Sequence, residues 1–280
     1  MQTVILLFQC EDKKGIVAAI SDFIFKHDGN IVTADQYSTD PEGGHFFIRV
    51  EFYINEKRYD KTSLEKDFIS VSDGFQAEWN MYYKYEKLRM GIFVSEPDHC
   101  LVDLLYLWKS GELHVQIPFV ASNYAAHRDI VEQYRVPFHF IPATTEDRKE
   151  QELLSLASGH SDFLVLARYM LVLSGTFLGN YSKDIINIHH SFLPSFKGQD
   201  PYGQAFEKGV KVIGATAHFV TEKLDEGPII SQIVEPVTHR DSVDDLMRKG
   251  KNLEKRALSH AIHNYINYRI IKYRNKTIVF

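Results

Sequence analysis

Asn187 and His189 are the residues of this 280-residue chain whose types and spacing best suit chemistry. They follow Ile185-Ile186, a run that reads as the end of a buried strand, so polar groups arrive just where the chain leaves its core. Two positions apart on extended backbone, their side chains face the same side. An amide and an imidazole converging on one carbonyl oxygen can stabilise it as it becomes an oxyanion. A histidine alone carries little weight in a chain with 13 of them. A second stretch adds to it: His218 to Ile230 (HFVTEKLDEGPII) reads as a strand running into a loop fixed by Gly227 and Pro228 and carrying Asp225. A carboxylate beside an imidazole favours its protonated form and fixes its orientation. Whether Asp225 reaches His189 stays open at this level. Ser191 is too close in sequence to His189 for the two side chains to face each other as a nucleophilic pair, and it reads as a turn residue. His190 would point away from His189 if the strand persisted, either packing or touching a substrate. Lys197 reads as solvated.

The elements that must position these residues fall into two groups, and the length agrees with about two domains. Thr3–Cys10 and the strands Ile31–Thr39, His45–Phe52 and Ala77–Tyr83 alternate with helices over Ile16–Ile24 and Leu64–Val71, with Asp12 as cap of the first helix. That order, β-α-β-β-α-β, predicts a ferredoxin-like domain over residues 1–85. Residues 86–280 alternate strand and helix, which predicts a Rossmann-like, mostly parallel α/β domain. Its strands are read at Leu88–Ser95, Val115–Ala121, Phe138–Ile141, Phe163–Leu166, Val212–Val220 and Ile229–Glu235, with a last short one at Lys276–Phe280. Thr145 is read as the cap of a helix to about Ser158. Ser242 with Asp245 forms a capping box that opens a long final helix, whose Arg248, Lys249, Lys251, Lys255 and Arg256 read as its wet face.

Composition excludes several classes. A net charge of -5 leaves no electrostatic footprint for nucleic acid. No apolar run reaches the length of a membrane span and no signal pattern opens the chain, so a cytoplasmic protein with no membrane partner is expected. Cys10 and Cys100 lie far apart without metal-ligand spacing, and no metal site is expected.

The motifs support a resemblance. Cys10-Glu11-Asp12-Lys13-Lys14-Gly15-Ile16-Val17, then Gly29-Asn30-Ile31 and Asp35-Gln36, resemble an ACT domain. That resemblance implies a free amino acid as effector at the first strand-to-helix turn, near Asp12, Gly15 and Asn30, and a homo-oligomer. N-I-H-x-S-x-L-P-x-F-x-G at 187–198 followed by H-x-V-T-x-x-L-D-x-G-P at 218–228 is similar to the folate-dependent formyltransferase family. It implies catalytic roles for Asn187, His189 and Asp225, and substrate contacts from the loop Arg168-Tyr169-Met170-Leu171-Val172, from His190 and from Gly227. Spacing alone reads that loop as a strand end and apolar turn. Gly203 and Tyr124 depart from the family pattern, each standing where histidine is expected.

The two-domain order, His190 and the terminal Asn275–Phe280 resemble the formyltetrahydrofolate deformylase branch. The implied reaction is hydrolysis of 10-formyltetrahydrofolate, the folate substrate, to formate and tetrahydrofolate, with no prosthetic group, supplying formate and balancing one-carbon pools for purine synthesis. The alternatives are transfer of the formyl group to an amine, and a catalytically silent amino-acid sensor. One physical argument favours water as acceptor. A phosphorylated amine wants a glycine-rich turn after the first strand of the α/β domain. Here that turn is Ser95-Glu96-Pro97-Asp98-His99, with two carboxylates, no glycine and a proline that lacks an N–H.

Overall fold

The computed structural model describes residues 2–40, 43–55, 58, 60–194 and 201–280. Two compact units are present: Met1–Lys87 with Asn267–Tyr273 and Ile278–Phe280, and Leu88–Ile266 with Arg274–Thr277.

In the first unit β1 (Gln2–Glu11), α1 (Ile16–Lys26), β2 (Asn30–Ser38), β3 (His45–Ile54), α2 (Lys61–Phe75) and β4 (Glu78–Tyr83) follow in the order the sequence predicts. The strands form an antiparallel sheet in the order β2-β3-β1-β4. β1 is apolar at nearly every position because both of its faces are covered. Val4, Leu6, Phe8 and Cys10 pack with Ile16, Ile20, Phe23 and Ile24 of α1 and with Leu64 and Phe68 of α2. Ile5 and Leu7 face the other way, with Phe47, and meet Ile271, Tyr273, Ile278 and Phe280. Residues 267–273 and 278–280 thus group with this unit, while 274–277 group with the second. Asp12 is not the cap of α1. Gly15, at φ +96°, begins that helix without a side-chain cap, and Asp12 instead accepts the Ser38 hydroxyl at 2.6 Å. α2 is longer than its apolar stripe indicated because Asp60 caps it through the Ser63 N–H at 2.8 Å.

The second unit holds β5 (Met90–Val94), α3 (His99–Ser110), β6 (Val120–Ser122), α4 (Arg128–Gln133), β7 (Phe138–Phe140), α5 (Glu150–Ala157), β8 (Phe163–Leu166), α6 (Gly175–Tyr181), β9 (Ile185–His189), α7 (Pro201–Glu207), β10 (Val212–Phe219), β11 (Ile229–Pro236) and α8 (Val243–Ile266). Its seven-stranded sheet runs β11-β10-β9-β8-β5-β6-β7. The pairs β5–β6, β6–β7, β5–β8 and β8–β9 are parallel, while β9–β10 and β10–β11 are antiparallel. The chain builds outward from β5 through β6 and β7, then returns to the other side of β5 with β8 and β9. The strand order therefore reverses between β5 and β8, where an open α/β sheet offers a crevice at its carboxyl edge.

Several sequence readings shift. The run Val115–Ala121 forms a strand only from Val120, with Gln116 making an isolated bridge to Arg89. Thr145 does not cap α5, which starts at Glu150 after Lys149 adopts φ +50°. α6, capped by Ser174 through the Phe177 N–H, went unread because its seven residues are too few for a periodic stripe. A strand β12 (Ile270–Tyr273) pairs with β13 (Lys276–Val279). The capping box of α8 is present, with reciprocal Ser242 and Asp245 bonds at 3.0 and 3.2 Å.

Candidate active site

β9 and β10 build the site between them. Asn187 and His189 lie two apart on β9, and the antiparallel register sets His218 opposite Asn187 and Thr216 opposite His189. A register shift between Ala217 and His218 bends β10 as it reaches the site. The loop after β10 then brings Asp225 back, with Oδ2 at 3.2 Å from His189 Nδ1 and Oδ1 at 3.5 Å from His218 Nε2. Asp225 takes φ +55°, a left-handed conformation uncommon for a residue with a side chain. Gly227 makes the turn possible: a Cβ there would lie 1.8 Å from the Phe219 carbonyl oxygen. The pairing of Asp225 with His189 that the sequence left open is thus present, and the role of Gly227 is to let the loop close.

The hydrogen bonds fix orientations. His218 Nδ1 lies 2.9 Å from the Phe219 carbonyl, which can only accept, so that nitrogen carries a proton. Its Nε2 is 3.3 Å from Asn187 Nδ2 and orients that amide. His218 stood in the sequence motif without an assigned role, because its partners are set by strand register. Burial works against the charge on Asp225, but the His189 imidazole beside it outweighs that and holds the carboxyl well below the usual carboxylate range. His189 Nε2 is buried and has no hydrogen-bond partner among the described residues. An imidazole N–H backed by a carboxylate can there meet a substrate oxygen.

β9 ends at His189, so strand alternation does not carry to His190. Instead of pointing away, the His190 ring lies 4.9 Å from that of His189 and is buried. Burial, then the Arg168 charge and His189, push its pKa down to about 4, which keeps it neutral. Ser191 is buried, and its carbonyl accepts the Thr216 hydroxyl at 2.8 Å. Lys197 lies outside the described residues.

The loop after β8 sits at the crevice where strand order reverses. Ser95, at the end of β5, donates its N–H to the Arg168 carbonyl at 3.1 Å and accepts the Met170 N–H on its hydroxyl at 3.0 Å. Arg168 adopts φ +65°. The five loop residues divide: Met170 and Val172 are exposed, Tyr169 is buried 5.6 Å from the Phe93 ring, and Leu171 packs on the same core. The Arg168 side chain turns inward, its Nε 3.3 Å from Glu254 of α8. Tyr124 is exposed beside a short 3-10 turn, and Gly203 lies within α7.

Only one group among the described residues has a metal-like donor set: His99, Cys100 and Glu254, with donor atoms within 4.8 Å of one another. Its chemistry does not suit a cation. The carboxylate already faces Arg168, and burial drives the Cys100 thiol well above its ordinary pKa. In the first unit, Asp12 and Gly15 line an open cleft of about 660 Å³ with Lys13, Gln36, Tyr37 and Ser38, whereas Asn30 is not part of its wall.

The sequence profile of the Formyl transferase family matches residues 88–262, and that of the ACT domain residues 4–55. The formyltetrahydrofolate deformylase of Bacillus subtilis (strain 168) is 45% identical over 98% of this chain and 93% of its own. The chain belongs to the formyltetrahydrofolate deformylase family. The likeness to that family extends to structure. A formyltetrahydrofolate deformylase from Pseudomonas syringae pv. tomato superposes with a TM-score of 0.94 at 40% identity, covering 100% of this chain and 95% of that one. A glycinamide ribonucleotide transformylase from Symbiobacterium toebii is 29% identical with a TM-score of 0.66, covering 72% of this chain and 98% of its own. The formyltetrahydrofolate deformylase family thus shares both units with this chain, and no described helix is long and apolar enough to cross a membrane.

Proposed function

We propose that this protein hydrolyses 10-formyltetrahydrofolate to formate and tetrahydrofolate. The observation that carries the reading is Asp225 held between two imidazoles, 3.2 Å from His189 Nδ1, with His189 Nε2 buried and, among the described residues, without a hydrogen-bond partner. Water attacks the formyl carbon, forming a C–O bond as the carbonyl electrons move to oxygen. The Asn187 amide and the protonated His189 ring donate to that oxyanion. Asp225 fixes the His189 ring, orients the water and relays one of its protons toward N10. Collapse of the intermediate breaks the C–N10 bond, N10 keeps that proton, and formate leaves. His218 orients Asn187, and the Arg168–Val172 loop with His190 bounds the folate side.

The Ser95–His99 turn supports water over a phosphorylated amine as acceptor, since Glu96 and Asp98 are exposed there and Asp98 makes no capping bond. The complete Asn187, His189 and Asp225 set argues against a silent sensor. In the cell, the released formate and tetrahydrofolate would balance one-carbon pools for purine synthesis. In the first unit, the cleft at Asp12 and Gly15 suits a free amino acid, and the exposed edge strand β2 suits pairing with a second copy.

The deciding experiment measures formate release from 10-formyltetrahydrofolate with no added amine. Steady release in the wild type, with kcat collapsed and folate affinity retained in Asp225→Asn, is the expected result. Release that requires an amine, or a near-normal kcat in Asp225→Asn, overturns the reading.

A further inference from the structure

Glu254 is the one fully buried carboxylate among the described residues, and the His189–Asp225 chemistry makes no use of it. It lies on α8 within a run of basic residues. Three other elements converge on it. Tyr202 of α7 donates its hydroxyl to Oε1 at 2.9 Å, His99 at the start of α3 places Nε2 2.9 Å from Oε2, and Arg168 after β8 places Nε 3.3 Å from the same oxygen. Burial opposes the charge, but His99, Arg168 and Tyr202 hold the carboxyl below its ordinary pKa, so it is ionised. A buried ion pair is an expensive way to gain stability, because apolar packing commonly does as well.

That geometry leads to the substrate side of the site. Arg168 opens the loop whose backbone Ser95 already pins, so Glu254 supplies a second anchor through the side chain. The Tyr202 ring lies 6.2 Å from His190, itself against His189. Gly250, one turn before Glu254, leaves α8 bare where Tyr202 approaches: a Cβ there would lie 1.9 Å from its hydroxyl. His189 and Asp225, in contrast, are held by β9, by the loop after β10 and by each other.

We propose that Glu254 is a positioning residue for the hydrolysis, fixing the Arg168–Val172 loop through Arg168 and the His190 side of the site through Tyr202. The inference rests on the hydrolase reading above. Because the His189–Asp225 pair keeps its own supports, losing Glu254 acts on substrate binding more than on the chemical step.

The test compares KM and kcat for 10-formyltetrahydrofolate in the wild type, Glu254→Gln, Tyr202→Phe and the double variant Glu254→Gln/Arg168→Met. Glu254→Gln keeps the side chain's shape and removes the charge. It is expected to raise KM about tenfold or more, the worth of one hydrogen bond to a charged group, with kcat largely kept. Tyr202→Phe, which leaves the ion pair and its charges in place, is expected to raise KM by less and also spare kcat. The double variant removes both charges, and its KM is expected to be no worse than that of Glu254→Gln, since the two residues act as one device. Should Glu254→Gln fail to fold, the other two variants decide. Wild-type KM in the folded variants, or a loss confined to kcat, overturns the proposal. Absence of formate from the wild type overturns the hydrolase reading and this inference together, whereas formate from the wild type with unaltered variants overturns this inference alone.

Discussion

Asn187 and His190 show how differently two polar residues three positions apart can serve one site. Asn187 is held by His218 Nε2 at 3.3 Å, so its amide is oriented before substrate arrives. Asn187→Ala is expected to lower kcat on the order of 10²–10³, the usual cost of one oxyanion donor, with a smaller effect on KM, as measured by formate release. His190 is buried beside Arg168 and kept neutral, with its pKa lowered to about 4. The unfolded chain takes up that proton near the ordinary histidine value, so it binds more protons than the folded state between the two values. The stability His190 contributes is therefore complete above about 6.5 and is lost as pH falls from there toward 4, by roughly 3 kcal/mol in all. Urea unfolding between pH 7 and 4.5 should show that slope in the wild type and a shallower one in His190→Asn. Equal slopes would mean the neutral His190 contributes nothing.

At the scale of elements, the loop after β10 is the part of the site with least freedom. Asp225 is in the left-handed region, and Gly227 passes so close to the Phe219 carbonyl that no side chain fits. Gly227→Ala should push the loop off β10 and move Asp225 away from His189. A displacement near 1 Å costs on the order of 10²-fold in rate, readable as kcat in a protein that still melts cooperatively. Much of this element was legible in the sequence. Asn187 and His189 share a face by strand periodicity, and Gly227-Pro228 announces a fixed turn. The partners that depend on register were not legible: His218 opposite Asn187 follows from β10 running antiparallel to β9. The direction of His190 hung on whether the strand continued, and the strand stops one residue before it. Glu254 was hidden for a different reason, since a single acid among Arg248, Lys249, Lys251, Lys255 and Arg256 reads as part of a solvated face. Only the approach of α3, α7 and the loop after β8 makes it interior.

At the scale of the whole molecule, the two units follow from two hydrophobic patterns, and each was predicted with little error in element order. The terminal residues were the exception. Ile271, Tyr273, Ile278 and Phe280 cover the face of the first unit's sheet that Ile5, Leu7 and Phe47 present. Short apolar runs at a chain end do not reveal which sheet they will cover. Deleting residues 267–280 is expected to bare that face and lower Tm, each buried aliphatic or aromatic side chain being worth about 1.5–3 kcal/mol. An unchanged Tm would mean the segment is dispensable. The central claim concerns the acceptor, and isotope labelling addresses it most directly. With 10-formyltetrahydrofolate turned over in ¹⁸O-labelled water without any amine, mass spectrometry of the product should find formate carrying one solvent oxygen, formed in step with tetrahydrofolate. Formate without the label, or none until an amine is supplied, would contradict hydrolysis at the Asn187, His189 and Asp225 site.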